Sequence, residues 1–202
     1  MDSNETRREW AERSGEYSPA YYAHYGSDGS SEAVRELLER FVGRDAAVLE
    51  LGCSSGRHLA HLHEHGFTDL TGIEINDDAF DVMDEVYPDL ARHGSFYLGA
   101  IEDLVETFEC GRFDAVYSVE TLQHIHPDAE WVFEELCRMT DNLVITVENE
   151  GDRDASEGGV NYVNDEFPLY YRNWNRIFTA LGFHEVDARP GDRDTVRAFR
   201  SA

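Results

Sequence analysis

Five short apolar runs constrain the fold of this chain more than any other feature: AAVLEL (46–51), LTGIEI (70–75), SFYLGA (95–100), FDAVYSV (113–119) and NLVITV (142–147). None alternates apolar with polar residues as a strand with one wet face would, and each is too short for a core helix. They read as strands buried on both faces. Helical patterns separate them: GRHLAHLHEHG ending at Gly66, DDAFDVMDEVYPDL with an aspartate start, and PDAEWVFEELCRM with Pro127 in the first turn. Upstream, SSEAVRELLERFVG places Ala33, Val34, Leu37, Leu38, Phe41 and Val42 at helical spacing between serine caps and Gly43. Strand followed by helix, repeated, gives a parallel sheet covered on both sides.

The C-terminal part departs from this rhythm. A last helix, YYRNWNRIFTALG, is followed by FHEVDA, the turn RPGDRD and TVRAFR. A turn that short has no room for a crossover helix, so the final pair is antiparallel. The expected fold is α/β: a doubly wound, seven-stranded, mostly parallel sheet with helices on both faces and a C-terminal antiparallel β-hairpin. Residues 1–30 are expected to be an N-terminal aromatic lid or cap segment, residues 31–202 one domain, and residues 149–168 a long loop.

Charge narrows the partners. The chain carries 42 acidic and 17 basic residues, a formal charge of −25, and every basic residue is arginine. Such charge strains a compact state by self-repulsion unless salt screens it, and the Debye length falls to about 3 Å at 1 M ionic strength. A salt-loving source is therefore expected. Nucleic acid is a disfavoured partner, because its backbone calls for clustered cations and these arginines stand isolated among carboxylates. Cys53, Cys110 and Cys137 have no paired spacing, and no leader or long apolar run is evident. These point to a cytoplasmic protein with reduced thiols and no membrane span.

The chemistry concentrates in VLELGCSSGRHL, residues 48–59. In a doubly wound sheet the first strand-to-helix turn meets the ligand. Gly52 and Gly56 bound the turn, but the spacing is neither the dinucleotide fingerprint G-x-G-x-x-G nor a P-loop, which also needs a lysine. What remains is an acid, Glu50, before the first glycine and a second acid, Glu74, closing the second strand. A carboxylate there accepts both hydroxyls of a ribose. A turn without a pyrophosphate seat suits a nucleoside that carries no phosphates.

ELGCSSGRHL resembles motif I of the class I S-adenosylmethionine-dependent methyltransferases, usually acid-x-G-x-G-x-G. Further matches follow in order: GIEIN, GAIEDL, FDAVYSVETLQHIHPD, NLVITVEN and the terminal hairpin. The resemblance covers roughly residues 31–202 and implies a Rossmann-like methyltransferase fold. The implied cofactor is S-adenosyl-L-methionine, leaving as S-adenosyl-L-homocysteine. It further implies that Glu50 orients the loop, that Gly52, Cys53, Ser54 and Gly56 line the methionine part, and that Glu74 holds the ribose with Ile75 on the adenine. Ile101 and Glu102 would meet the adenine edge and Ser118 the methionine amino group. Two positions depart from the pattern. Ser54 replaces the central glycine, where a small residue is expected to suffice, and Ala100 replaces a frequent aspartate, so that either Glu102 or Asp103 takes its place or that contact is absent.

His124, in LQHIHPD after the fourth strand, is the preferred base candidate, with His126 behind it and a purely structural role as the alternative. His58, His61 and His65 share a helix face, which invites a metal reading, but nothing joins them to complete a site, so no metal is expected. Trp10, Tyr17, Tyr21, Tyr22, His24 and Tyr25 could close over a sulfonium by cation–π attraction or pack on the domain or on a second subunit, so a homo-oligomer stays open. The expected activity is methyl transfer to an acceptor, a small molecule in preference to a protein or RNA. A non-catalytic nucleoside binder is the alternative class, and a nicotinamide oxidoreductase fits poorly.

Overall fold

The structure is a computed structural model that describes residues 2–151, 159–163, 167–191 and 193–202. Its main sheet has the order β3-β2-β1-β4-β5-β9-β8. The strands are β1 (Ala47–Leu51), β2 (Asp69–Glu74), β3 (Ser95–Leu98), β4 (Phe113–Val119), β5 (Thr140–Glu148), β8 (Phe183–Pro190) and β9 (Thr195–Ser201). The first five pair in parallel, and β9 runs antiparallel between β5 and β8. Seven strands, doubly wound, with an antiparallel C-terminal pair, are what the spacing of apolar runs led us to expect. The strand order reverses between β1 and β4, and the carboxyl ends of those two strands flank the crevice where ligands bind in such sheets.

The burial explains why these strands lack alternation. Val48, Ala115, Tyr117, Leu143 and Ile145 face α3 (Gly29–Phe41), α4 (Arg57–Glu64), α5 (Asp78–Val86) and α6 (Pro88–His93) through Leu37, Leu38, Leu59, Leu62, Met83 and Leu90. Their neighbours Leu49, Val116, Val144 and Phe199 face the other way. There they meet α7 (Ile101–Leu104), α8 (Trp131–Met139) and α9 (Trp174–Ala180) through Ile101, Val132, Phe133, Leu136, Trp174 and Phe178. Odd and even positions both enter a core, so both must be apolar.

Four local readings need correction. The amino-terminal segment, where no period was visible, forms α1 (Ser3–Ala11), opened by an Asp2–Glu5 capping box, and α2 (Pro19–Tyr25), capped by Ser18. The helix expected from DDAFDVMDEVYPDL breaks at Tyr87, because the ring of Pro88 can start α6 but cannot continue α5. In α3 the cap is Asp28, with Ser31 returning the hydrogen bond, so the helix starts at Gly29. The stretch read as a loop over 149–168 contains β6 (Val160–Val163), paired antiparallel with β7 (Phe167–Tyr170); residues 152–158 and 164–166 lie outside the described residues. Tyr170 therefore belongs to a strand, and α9 begins after the Asn173 cap.

Candidate functional site

Three residues with left-handed φ build the first loop: Gly52 (67°), Ser54 (50°) and Gly56 (83°). A Cβ on Gly52 would stand 2.5 Å from both Cγ2 and Oγ1 of Thr121, so the loop leaving β4 rests directly on this backbone. At Gly56, the N-cap of α4, a Cβ would run into Leu90 and Met83, so this glycine serves helix packing. Ser54 answers its substitution differently from the expectation. The central position asks for a left-handed backbone as well as for small size, and serine holds it at a cost glycine would not carry. Its amide donates to Glu74 Oε2 at 2.8 Å, which ties the two loops together.

Glu74 is the centre of this corner. Its Oε1 accepts from the amides of Ile75 (2.7 Å) and Asn76 (2.8 Å). Burial raises its pKa, and the amides of Asn76, Ser54 and Ile75 work against that rise. Three of roughly four acceptor positions of the carboxylate are filled by backbone. The Asn76 side chain donates onward to the carbonyls of Trp10 (3.3 Å) and Arg13 (3.0 Å), clasping the amino-terminal segment to the end of β2. Gly72, which the sequence reading passed over, permits the approach: a Cβ there would lie 2.6 Å from Cys53 Sγ. A glycine inside a strand was the available signal.

These elements line one shared cleft. Gly52, Cys53, Ser54, Glu74, Ile75, Ile101, Glu102 and His124 all line it. Glu50, Gly56 and Ser118 do not reach its wall. Glu50 is buried on β1 opposite Tyr117, with Oε2 unpartnered and the Tyr117 hydroxyl nearby but outside hydrogen-bond geometry. Burial pushes its pKa well above the carboxylate range, against smaller pulls from Tyr117 and Arg57. Ser118 is buried and donates to Glu148 Oε1 at 2.6 Å. Ala100 lines the cleft beside Glu102, whereas Asp103 is engaged by Arg7 of α1, which leaves Glu102 as the carboxylate on that wall.

The amino-terminal segment lines the cleft with Thr6, Arg7, Trp10, Arg13, Tyr17 and Tyr22. Tyr21, His24 and Tyr25 stack with one another or with Tyr17 and Tyr22 and lie off the cleft. Arg57 anchors α2 and α3, reaching Gly26 O at 3.2 Å and Asp28 Oδ2 at 2.8 Å beneath the ring of Tyr22.

His124 sits in a turn of unusual construction. Its Nδ1 lies 2.9 Å from Pro168 O, which fixes Nδ1 as the donor and leaves Nε2 as an acceptor, 3.5 Å from Gln123 Nε2. The Trp10 ring packs on it at 4.9 Å. Burial pushes its pKa down to about 4, so it is neutral throughout the physiological range. With Nδ1 committed to Pro168, Nε2 is the acceptor that this imidazole offers, and the lowered pKa makes it a weaker base than a free histidine. His126 lies off the cleft, its Nδ1 accepting from the Asp128 amide at 3.2 Å. Of the histidines on α4 and at its C-cap, His61 packs on His65 at 4.4 Å, while His58 and His61 take different polar partners. Nδ1 of His58 faces Ser31 Oγ at 2.7 Å, and Nε2 of His61 faces Glu32 at 3.1 Å. Among the described residues no three His, Cys, Asp or Glu groups gather to hold a metal.

Comparison with known proteins agrees with this geometry. Residues 48–142 match a methyltransferase domain model. A 91-residue stretch is 33% identical to the O-antigen chain terminator bifunctional methyltransferase/kinase WbdD of Escherichia coli, covering 44% of this chain and 12% of that protein, so the chain spans a minor part of that relative. Among solved structures, 1,6-didemethyltoxoflavin-N1-methyltransferase of Burkholderia thailandensis, with S-adenosylhomocysteine bound, superposes with a TM-score of 0.70 at 18% identity over 87% of this chain and 80% of that one. Magnesium protoporphyrin IX methyltransferase of Synechocystis gives 0.71 at 12% identity over 100% of both. The chain has the Rossmann-like fold of these methyltransferases, and its segment 48–142 is similar to a methyltransferase domain.

Proposed function

We propose that this chain is an S-adenosylmethionine-dependent methyltransferase whose acceptor is a small molecule presenting an N–H or O–H to His124. The observation that supports the acceptor class is the amino-terminal segment: α1, α2 and their connection line the cleft with Trp10, Tyr17 and Tyr22. A lysine side chain on a folded protein or a base within RNA needs open access, and a net charge of −25 repels a phosphate backbone. The same charge and the free cysteines support a cytoplasmic protein of a saline cell.

The residues fit the cofactor. Gly52 and Ser54 line the cleft with left-handed backbone and no large side chain, so a ligand can lie against the loop, and Glu74 retains one acceptor position for a ribose hydroxyl. Bound there, S-adenosylmethionine supplies a sulfonium methyl group and leaves as S-adenosylhomocysteine. The chain itself aligns and dries the site. Ile75 and Ile101 give the adenine an apolar bed, and Glu102 offers an acceptor for its amino group. Tyr17, Tyr22 and Trp10 exclude water and present aromatic faces to a cation. His124 Nε2, which the Gln123 amide reaches only at 3.5 Å, exchanges that long contact for a hydrogen bond from the nucleophile, which turns the nucleophile's lone pair toward the methyl group. With a pKa near 4 this histidine orients the nucleophile, and the released proton passes to solvent.

Incubation with methyl-labelled S-adenosylmethionine and a size-fractionated extract of the source cells, in molar KCl, tests the acceptor class. Label is expected in the small-molecule fraction. Label confined to protein or RNA would overturn the reading.

A further inference from the structure

We propose that Glu148 and Arg172 clamp the turn at residues 121–125 from opposite sides, and that this clamp sets the tautomer and aim of His124. The inference rests on the reading that the acceptor meets His124 Nε2. Neither Glu148 nor Arg172 lines the cleft, so each is a positioning residue acting through the turn.

Glu148 ends β5 fully buried. Its Oε1 accepts from Ser118 Oγ (2.6 Å), Leu122 N (3.0 Å) and Thr121 N (3.2 Å), and its Oε2 from Gln123 N (3.1 Å). Three consecutive backbone amides thus converge on one carboxylate. On the far side of the turn Arg172, also buried, donates to Leu122 O (3.3 Å) and Ile125 O (2.6 Å). An anion gathers the amide end and a cation the carbonyl end, so the charges complement the dipoles of the turn. The Arg172 guanidinium is held in turn by the rings of Phe133, Tyr170 and Trp174 at 5.3, 5.4 and 5.8 Å and by Glu130 at 3.4 Å.

Two further bonds complete the arrangement. Asn149 N donates to Gln123 Oε1 at 2.7 Å, which turns the Gln123 amide nitrogen toward His124 Nε2. Pro168 O takes the His124 Nδ1 proton, and Pro168 lies on β7, two residues before that strand ends and Arg172 follows. One short segment therefore supplies both the carbonyl that selects the tautomer and the cation that holds the turn. Burying two ions is costly, and a connection between secondary-structure elements needs no such device. The segment that gains is the one carrying Thr121, His124 and Ile125 into the cleft.

The test reads the imidazole nitrogens of His124 by ¹⁵N NMR at pH 8 in molar KCl, using histidine-labelled protein and His124→Asn to assign the signal among nine histidines. The wild type is expected in the Nδ1–H form. Glu148→Gln places an amide N–H against the turn's own N–H groups, and Arg172→Lys keeps the charge but loses the planar fork that spans two carbonyls. Each variant is expected to move a measurable share of His124 into the Nε2–H form that free imidazole favours. Retention of the wild-type tautomer in either folded variant would overturn the clamp, and the second variant serves should the first fail to fold. Failure of the wild type to bind S-adenosylhomocysteine would instead strike the cofactor reading and leave the tautomer result standing.

Discussion

Gly52→Ala offers the sharpest probe of how the loop is built. Two costs are separable in the structure. A φ of 67° forces an alanine into left-handed backbone, about 1–2 kcal/mol, and the new Cβ, 2.5 Å from Thr121 Cγ2 and Oγ1, adds an overpacking cost of about 1–3 kcal/mol. The sum, about 2–5 kcal/mol, is a large part of the stability of an ordinary domain but leaves a folded protein. Thr121→Ala removes both clashing atoms while leaving its own Cβ at 3.1 Å. The double variant should therefore recover the overpacking part and retain the conformational part. Urea unfolding in molar KCl of the wild type, both single variants and the double variant gives the cycle, with a coupling energy of about 1–3 kcal/mol expected. A single Gly52→Ala variant within about 0.5 kcal/mol of wild type, or a coupling energy near zero, would refute the packing of the β4 exit against the first loop.

Ser54→Gly relieves left-handed strain of about 1–2 kcal/mol and adds about 0.5–1 kcal/mol of unfolded-state entropy, so stability should rise by up to about 1.5 kcal/mol; a loss above about 1 kcal/mol would contradict the strain argument. Glu148 has its pKa raised by burial to about 7, with Ser118 and the turn amides opposing the rise. The folded state therefore keeps a proton that an unfolded glutamate releases near pH 4.3, and stability from this group falls as pH climbs from about 4 through 7, by roughly 3 kcal/mol. Urea midpoints measured from pH 4 to 8 should lose that component in Glu148→Gln, and identical slopes in the two proteins would refute it. Raising KCl from 0.1 M to 3 M should raise the Tm, since added salt screens a charge of −25; a Tm that stays level or falls would argue against a saline origin.

Much of this was legible in the sequence, for reasons of period and order. Val48 and Leu49 enter opposite cores, so the apolar runs had to be continuous, and their number with a helix-free final turn left little choice of topology. The bend at Gly52, Ser54 and Gly56 was legible because a tight left-handed turn demands small residues. Other parts depended on contacts far apart in the chain. Glu50 looked like a site carboxylate, yet its register opposite Tyr117 turns it into the core. Gly56 looked like a ligand glycine until Leu90 and Met83 were placed beside it. Ser118 points to Glu148, and the roles of Glu148 and Arg172 exist only because β5 and β7 bring them to the same turn. Asp2, Ser18 and Asp28 capped helices in a segment too polar and too aromatic to show a period.

The central claim is that the corner formed by Gly52, Ser54 and Glu74 holds an adenosyl ligand that lacks phosphates. Calorimetric titration of the wild type with S-adenosylmethionine, S-adenosylhomocysteine and NAD, repeated with Glu74→Ala, tests it most directly. The account predicts that both adenosyl ligands bind the wild type, that NAD does not, and that Glu74→Ala loses at least about tenfold, or roughly 1.4 kcal/mol, through the missing ribose acceptor. Binding of NAD in place of the sulfonium, or undiminished affinity in a folded Glu74→Ala, would contradict it.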